Sequence, residues 1–433
     1  MLQLLLRVVL LILTVHRIYA RTEFVALIPT NNMGPVSAST VIQWINVTYP
    51  ENVSSATDVT FSVLSNKDDQ LGEWYDLDPK GAQLTAKIFE NKMYVLQNDG
   101  NAPSQAGCCA NTLAAYDKSD VSKSSIISLT GLIQTALNVS DAYASHTFDV
   151  SEVNGKPVAF FQVRYSETSL NSYGDAIVAV DLETETIVPT KDGASSFQIY
   201  RDAGTEELEN SVFKIQFYKS SDSVEKEQWH GNGVLRFRTK DDVTLLAFTH
   251  RFMSEAVIFK DPWSYDSSSG GGNILQRFGT PQKWDTDDHD SATYRYFGLS
   301  TSESVFVSGV HNVFYTSSSE TTSMKGKETI SLFVNSQDGK SATFEFELKL
   351  VMNEGVDVKD DVFQTEYVSA SCSFKAPAQG GARAIGNGVF LVMSGADHTG
   401  LEVVDVNGNS HSQAYTLGGN VNLYDPFVRV VVS

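Results

Sequence analysis

Apolar positions along this chain seldom recur at the three- and four-residue spacing of an amphipathic helix. Short β-branched and aromatic runs bounded by Gly, Asn, Asp and Ser recur instead, the pattern of strands and tight turns. The runs come in pairs: Met93–Gln97 with Asn111–Tyr116, Val158–Tyr165 with Ala176–Leu182, and Val243–Thr249 with Ala256–Lys260. Ile330–Val334 with Thr343–Leu350 and Val389–Met393 with Leu401–Val406 complete five units. Their starts fall roughly 60 to 85 residues apart, longer than the about 40–50 residues of a simple four-stranded blade. Each pair reads as the middle of a repeating sheet with long loops. The pattern predicts an all-β fold, a β-propeller, with a stacked pair of sandwiches as the alternative.

The first 85 residues differ from the rest. Residues 1–20 read as a secretory signal peptide: Arg7 is the positive end, Val8–Val15 the short apolar run, and Ala20 a small residue suited to cleavage. Residues 21–85 carry Pro29, Pro35 and Pro50 and the strand-like runs Val41–Val47 and Asp58–Leu64. They suggest a small β-sandwich or part of the first blade, ahead of a propeller over 86–433. Asn46, Asn52 and Asn138 each open an Asn-Val-Ser/Thr glycan acceptor sequence, which fits export to a lumenal or extracellular setting.

Of the 433 residues, 42% are apolar, enough to build a large core. Lys and Arg number 32 against 52 Asp and Glu, a net charge of −20. That balance argues against nucleic acid and anionic lipid as partners, and no later run is long enough to cross a membrane. Three cysteines, the adjacent Cys108 and Cys109 with a distant Cys372, are too few for a disulfide scaffold or a zinc cluster. One bridge to Cys372 and buried, inert sulfur are both open readings. Oligomeric state leaves no mark in the sequence.

Three histidines carry the candidate chemistry. His146, His230 and His311 each open a run that precedes a turn and the next strand of a unit. In a propeller the innermost strands line one axis, so residues at their mouths converge although distant in sequence. Arg251 follows the Val243–Thr249 strand and can turn into the same funnel. Imidazole serves as nucleophile and as general acid or base near neutral pH, and guanidinium grips oxyanions through paired hydrogen bonds. Three histidines also suit a catalytic metal, while histidines at strand ends often do no more than satisfy backbone groups. The acidic run Asp285–Asp290 reads as a solvated turn. Phosphate loops, serine elbows and zinc-protease helices are missing from the sequence.

The stretch Trp229-His230-Gly231-Asn232, the Arg251-containing segment after Leu245–His250, Gln276–Gln282, and Val310-His311-Asn312 resemble the arylsulfotransferase family that works without a nucleotide donor. Gly380–Gly388 with Arg383 is similar to that family's last blade, and His146–Asp149 to an earlier blade opening. The likeness runs loosely from about residue 87 onward and is most specific over 228–315. It implies a six-bladed propeller and a ping-pong reaction without cofactor or metal. His311 would take the sulfo group from an aryl sulfate and pass it to a phenolic acceptor. His230 and Arg251 would hold the sulfuryl oxygens, His146 would complete the cluster, and Asn232 would orient a ligand. Trp229, Phe252 and Phe314 could stack on an aryl ring or serve as core. This sequence lacks the family's Gln before His311 and has the acidic residue after His146 displaced. A non-catalytic secreted propeller that binds a carbohydrate or protein partner is the second reading.

Overall fold

The computed structural model describes residues 20–27, 42–79, 82–99, 110–167, 172–199, 231–250, 255–279, 308–317, 324, 326–337, 340–349, 367–374, 380–394, 400–414 and 428–432. Their strands form six sheets arranged as a β-propeller. Blade 2 contains β4 (Ala82–Phe89), β5 (Lys92–Asn98), β6 (Thr112–Asp117) and β7 (Ser125–Ser128), followed by the helix α1 (Thr130–Leu137). Blade 3 contains β8 (Ala142–Val153), β9 (Lys156–Glu167), β10 (Ser172–Asp181) and β11 (Thr186–Ile187), with β12 (Phe197–Gln198) also paired to β10. Blade 4 runs through β13 (Gly231–Arg238), β14 (Thr244–His250), β15 (Glu255–Lys260) and β16 (Ile274–Gly279). Blade 5 runs through β17 (Ser308–Thr316), β18 (Thr329–Gln337), β19 (Lys340–Glu347) and β20 (Tyr367–Ser371). Blade 6 has β21 (Gly381–Gly386), β22 (Val389–Ser394), β23 (Gly400–Asp405) and β24 (Ser410–Ala414).

Blade 1 is assembled from both ends of the chain. β1 (Ala20–Leu27), β2 (Gln43–Pro50) and β3 (Thr60–Val63) supply three strands, and β25 (Val428–Val432) pairs antiparallel with β1 as the fourth. Of the two arrangements expected for residues 21–85, the described strands make the first blade and not a separate sandwich, and β4 already belongs to blade 2. Closure is reinforced by side chains. Arg383 of β21 forms a buried ion pair with Glu23 of β1. Burial alone would lower the guanidinium pKa; the neighbouring Glu23 carboxylate overcomes this and holds it raised.

The five sequence pairs are the second and third strands of blades 2 to 6. These strands are apolar on both faces because each blade is covered on either side by its neighbours. Leu245, Leu246, Ala247 and Phe248 are successive and all fully buried. Apolar layers fill the successive blade interfaces. Trp44 and Trp74 pack with Met93 and Val95 between blades 1 and 2, and Val25 and Ile45 with Leu391 and Val403 between blades 1 and 6. Turn chemistry sets the inner hairpins: Asn154-Gly155 and Asn387-Gly388 take positive φ at both residues, as a two-residue hairpin requires. The Ser267–Gly272 loop is the tip between β15 and β16, as its composition predicts. Cys372 is a buried free thiol whose pKa burial pushes well up; Cys108 and Cys109 lie outside the described residues.

Candidate functional site at the mouths of the inner strands

β4, β8, β13, β17, β21 and β25 are the innermost strands of their sheets, so they run in one direction along the axis and their first residues gather at one end. There the pairing with the second strand slips in four successive blades. β4 slips between Gln83 and Thr85, β8 between Ala144 and Phe148, β13 between Gly231 and Gly233, and β17 between Val310 and Asn312. A bulge inserts unpaired residues, bends the strand and re-aims side chains, and bulges concentrate at functional sites. In blades 3, 4 and 5 the inserted residues include His146, Asn232 and His311.

The sequence placed His230 in register with His146 and His311; the residue at the blade 4 bulge is Asn232, two positions later. His146 and His311 also stand inside their strands and not at the first residue. His230 and Arg251 lie outside the described residues, as do Trp229, Phe252 and the run Asp285–Asp290. The chain arrives at Gly231 from His230 and leaves His250 toward Arg251, and Gly231 and His250 are register partners.

Neighbouring bulges are laced together. Asn232 Nδ2 donates to the Val310 carbonyl at 3.0 Å, and Thr249 Oγ1 donates to the His311 carbonyl at 3.4 Å. Gly233 permits this approach, since a Cβ there would stand 2.8 Å from Thr249 Oγ1 and 3.3 Å from the His311 carbonyl oxygen. His311 Nδ1 lies 3.4 Å from the Gly309 carbonyl. With Nδ1 as the donor in that contact, the neutral ring carries its lone pair on Nε2. His146 and His311 are both 3% exposed.

Blade 3 contributes a polar group that the sequence reading missed. Gln162 of β9 lies across from the His146 bulge, and its Nε2 donates to Asp175 Oδ1 at 3.2 Å. Asp175 Oδ2 accepts from the Gly231 N–H at 3.1 Å. A buried carboxylate thus joins the cluster. Its signal was a charged residue heading the apolar run Ala176–Leu182. Further along β13, Arg236 fixes blade 4 against blade 3. Its Nε donates to Asp261 Oδ2 at 2.9 Å, one Nη to the Glu152 carbonyl at 2.7 Å, and its backbone N–H to Asp149 Oδ2 at 2.8 Å.

Other expected groups fall elsewhere. Phe314 of β17 is half-buried with the Arg383 guanidinium over its ring, 6.0 Å from the centroid. Asn52 and Asn138 are exposed, in the turn after β2 and at the C-terminus of α1, whereas Asn46 is half-buried within β2. Among the described residues no group of His, Cys, Asp and Glu is arranged to hold a metal ion, and no helix is long and apolar enough to cross a membrane.

No family model matches the chain, and no curated protein matches its sequence. Among solved structures, a GH43 β-1,3-galactosidase with galactodeoxynojirimycin is similar at TM-score 0.36 and 9% identity, covering 79% of this chain and 92% of its own. The endo-arabinase of Bacteroides thetaiotaomicron gives 0.27 and 13%, covering 77% and 92%. Extracellular domains 1–2 of Drosophila semaphorin 1a give 0.32 and 10%, covering 92% and 88%. Likenesses this distant carry nothing about chemistry; the architecture rests on the chain's own strand pairing.

Proposed function

We propose that the chain is an exported enzyme that moves a sulfo group from an aryl sulfate to a phenolic acceptor, with His311 as the covalent carrier. The observation that carries this reading is the recurrence of His146, Asn232 and His311 at strand bulges of three consecutive inner strands. In the first half-reaction the Nε2 lone pair of His311 attacks sulfur, the N–S bond forms, and the aryl S–O bond breaks. The leaving phenolate takes a proton, for which His146 is the proposed donor. In the second, a phenol oxygen attacks sulfur, the S–N bond breaks, and the phenol proton returns to the histidine pair. Charge spreads over the sulfuryl oxygens at the transition state, so fixed donors supply the main stabilisation. His230 and Arg251, which flank the paired Gly231 and His250, are the residues proposed for that role.

Incubating the protein with a chromogenic aryl sulfate, without acceptor, should add one sulfo group by intact mass, and phenol should then remove it. The adduct should be lost in His311→Ala. Phenol release that persists unchanged in that variant would overturn the mechanism.

A specific observation favours a second reading, a binding module without turnover. The Asn232 amide and the Thr249 hydroxyl are committed to joining strands, and both histidines are buried. This reading predicts saturable binding of a carbohydrate or protein with no covalent adduct.

A further inference from the structure

The two faces of blade 5 differ. On β18 and β19 the face toward blade 4 is apolar: Ile330, Leu332, Phe344 and Phe346 pack there, and the Phe346 ring lies 4.9 Å from that of Phe278. The alternate residues point toward blade 6, where Ser331 Oγ accepts from the Ala384 N–H at 3.4 Å. Register places Glu345 opposite Ser331 and Thr343 opposite Phe333 on that face. Thr329, Ser331, Thr343 and Glu345 are all fully buried, so β18 and β19 depart here from the apolar middle strands of the other blades. The Thr329 hydroxyl donates to Glu345 at 2.8 Å, whereas the Thr343 hydroxyl has no hydrogen-bond partner among the described residues. Farther out, Glu402 of blade 6 is also buried in this seam. It accepts from the Ser373 N–H at 2.9 and 3.1 Å, and burial holds its pKa raised.

We propose that the native ring opens reversibly between blades 5 and 6, and that this seam, not the terminal one, is its line of opening. Burying hydroxyls and carboxylates costs free energy that an apolar seam does not bear, and opening returns those groups to water. The seam between blades 6 and 1 is held instead by the Arg383–Glu23 pair and by Val25 and Ile45 against Leu391 and Val403. Cys372, buried just after β20, belongs to the apolar layer that Phe333 shares with Ala382 and Val392 of blade 6, so its thiol reports the opening. Opening also parts β17, which carries His311, from β21, and the line therefore borders the candidate site. The inference holds whether or not sulfo transfer takes place.

The test is maleimide labelling of the folded full chain at urea concentrations below its unfolding transition, with peptide mass spectrometry to separate Cys372 from Cys108 and Cys109. Cys372 should react about tenfold or more faster than global unfolding allows, with a shallow urea dependence. Two probes in a Cys372→Ala background locate the opening. Ala382→Cys, on the blade 6 side of the seam, should react in the same way, and Ala247→Cys, buried in blade 4, only through global unfolding. Thr343→Val keeps the shape but removes the unserved hydroxyl, and should slow Cys372 about tenfold. Labelling of Cys372 only through global unfolding overturns the proposal. So does fast labelling of Cys372 with the Ala382→Cys probe protected, which is fraying of β20 alone, and so does equal labelling of the Ala247→Cys probe. If a variant does not fold, hydrogen exchange of the wild type decides: the Ala384 N–H should exchange through the same opening, and the N–H groups of β14 should not.

Discussion

Asn232 bridges two blades: its Nδ2 donates to the backbone carbonyl of Val310 at 3.0 Å, joining the bulge of β13 to that of β17. Replacing Asn232 by Asp puts an acceptor against that carbonyl, both of them buried. Asn232→Asp should lose about 1–3 kcal/mol of stability in urea unfolding. Asn232→Ser, which keeps a donor, should lose less.

Gly231 is a packing constraint with a backbone function. A methyl group there would run into Gln162 Nε2 and Phe248 Cζ, and the Gly231 N–H is held by Asp175. Gly231→Ala should cost about 1–3 kcal/mol, as overpacking in a filled interior does. Gly155→Ala meets no atom within 4 Å but must keep φ near 79°, so its cost is backbone strain alone. Thermal unfolding followed by circular dichroism, together with ligand titration, separates the two: only the Gly231 variant should also impair binding.

The ion pair of Glu23 and Arg383 joins the first and last blades in a buried setting. Glu23→Gln leaves a buried guanidinium without its counter-charge and should cost about 3–5 kcal/mol. The double variant Glu23→Gln, Arg383→Met should recover much of that loss. A double-mutant cycle in urea measures the coupling.

Asp181 sets an acid limit on blade 3. Burial pushes its carboxyl up, but Lys156 at 2.9 Å and the N–H groups of Thr184 and Glu183 outweigh it and bring the pKa to about 2. The folded value lies below the ordinary 3.8, so the carboxylate contributes its full stability above about pH 4 and loses it as pH falls toward 2. The gap in unfolding free energy between wild type and Asp181→Asn should therefore narrow from pH 5 to pH 2.5. A gap independent of pH would contradict the assignment.

Expression through a secretory pathway should yield glycan on Asn52 and Asn138, which are exposed at turns. Asn46 should carry less, because it is half-buried in a strand paired on both sides and its Oδ1 accepts from Thr48 Oγ1 at 3.3 Å. Glycopeptide mass spectrometry measures the occupancy of each.

The propeller was legible because its middle strands are buried on both faces and so stand out as unbroken apolar runs, Val389–Met393 being one. Outer strands left little trace: β7 is four residues long, and its Ile126 is 64% exposed. Blade 1 could not be read as a unit because β1 and β25 lie some four hundred residues apart in sequence. His146 and His311, expected from their repeat positions, both fall at strand bulges. The Asn232 register was missed because a bulge adds a residue that no periodic pattern reveals. Gln162 and Asp175 carry no such mark, because they sit on the second and third strands, away from the strand mouths where the repeat positions fall.

The seam between β1 and β25 gives synthesis of this protein a fixed order. Strands made first must wait, with one edge unpaired, until Val428–Val432 leave the ribosome. Blades 2 to 6 can stack meanwhile, but the ring cannot lock. A nascent or prematurely terminated chain therefore presents a bare β-edge, a feature for chaperones to shield and quality control to detect.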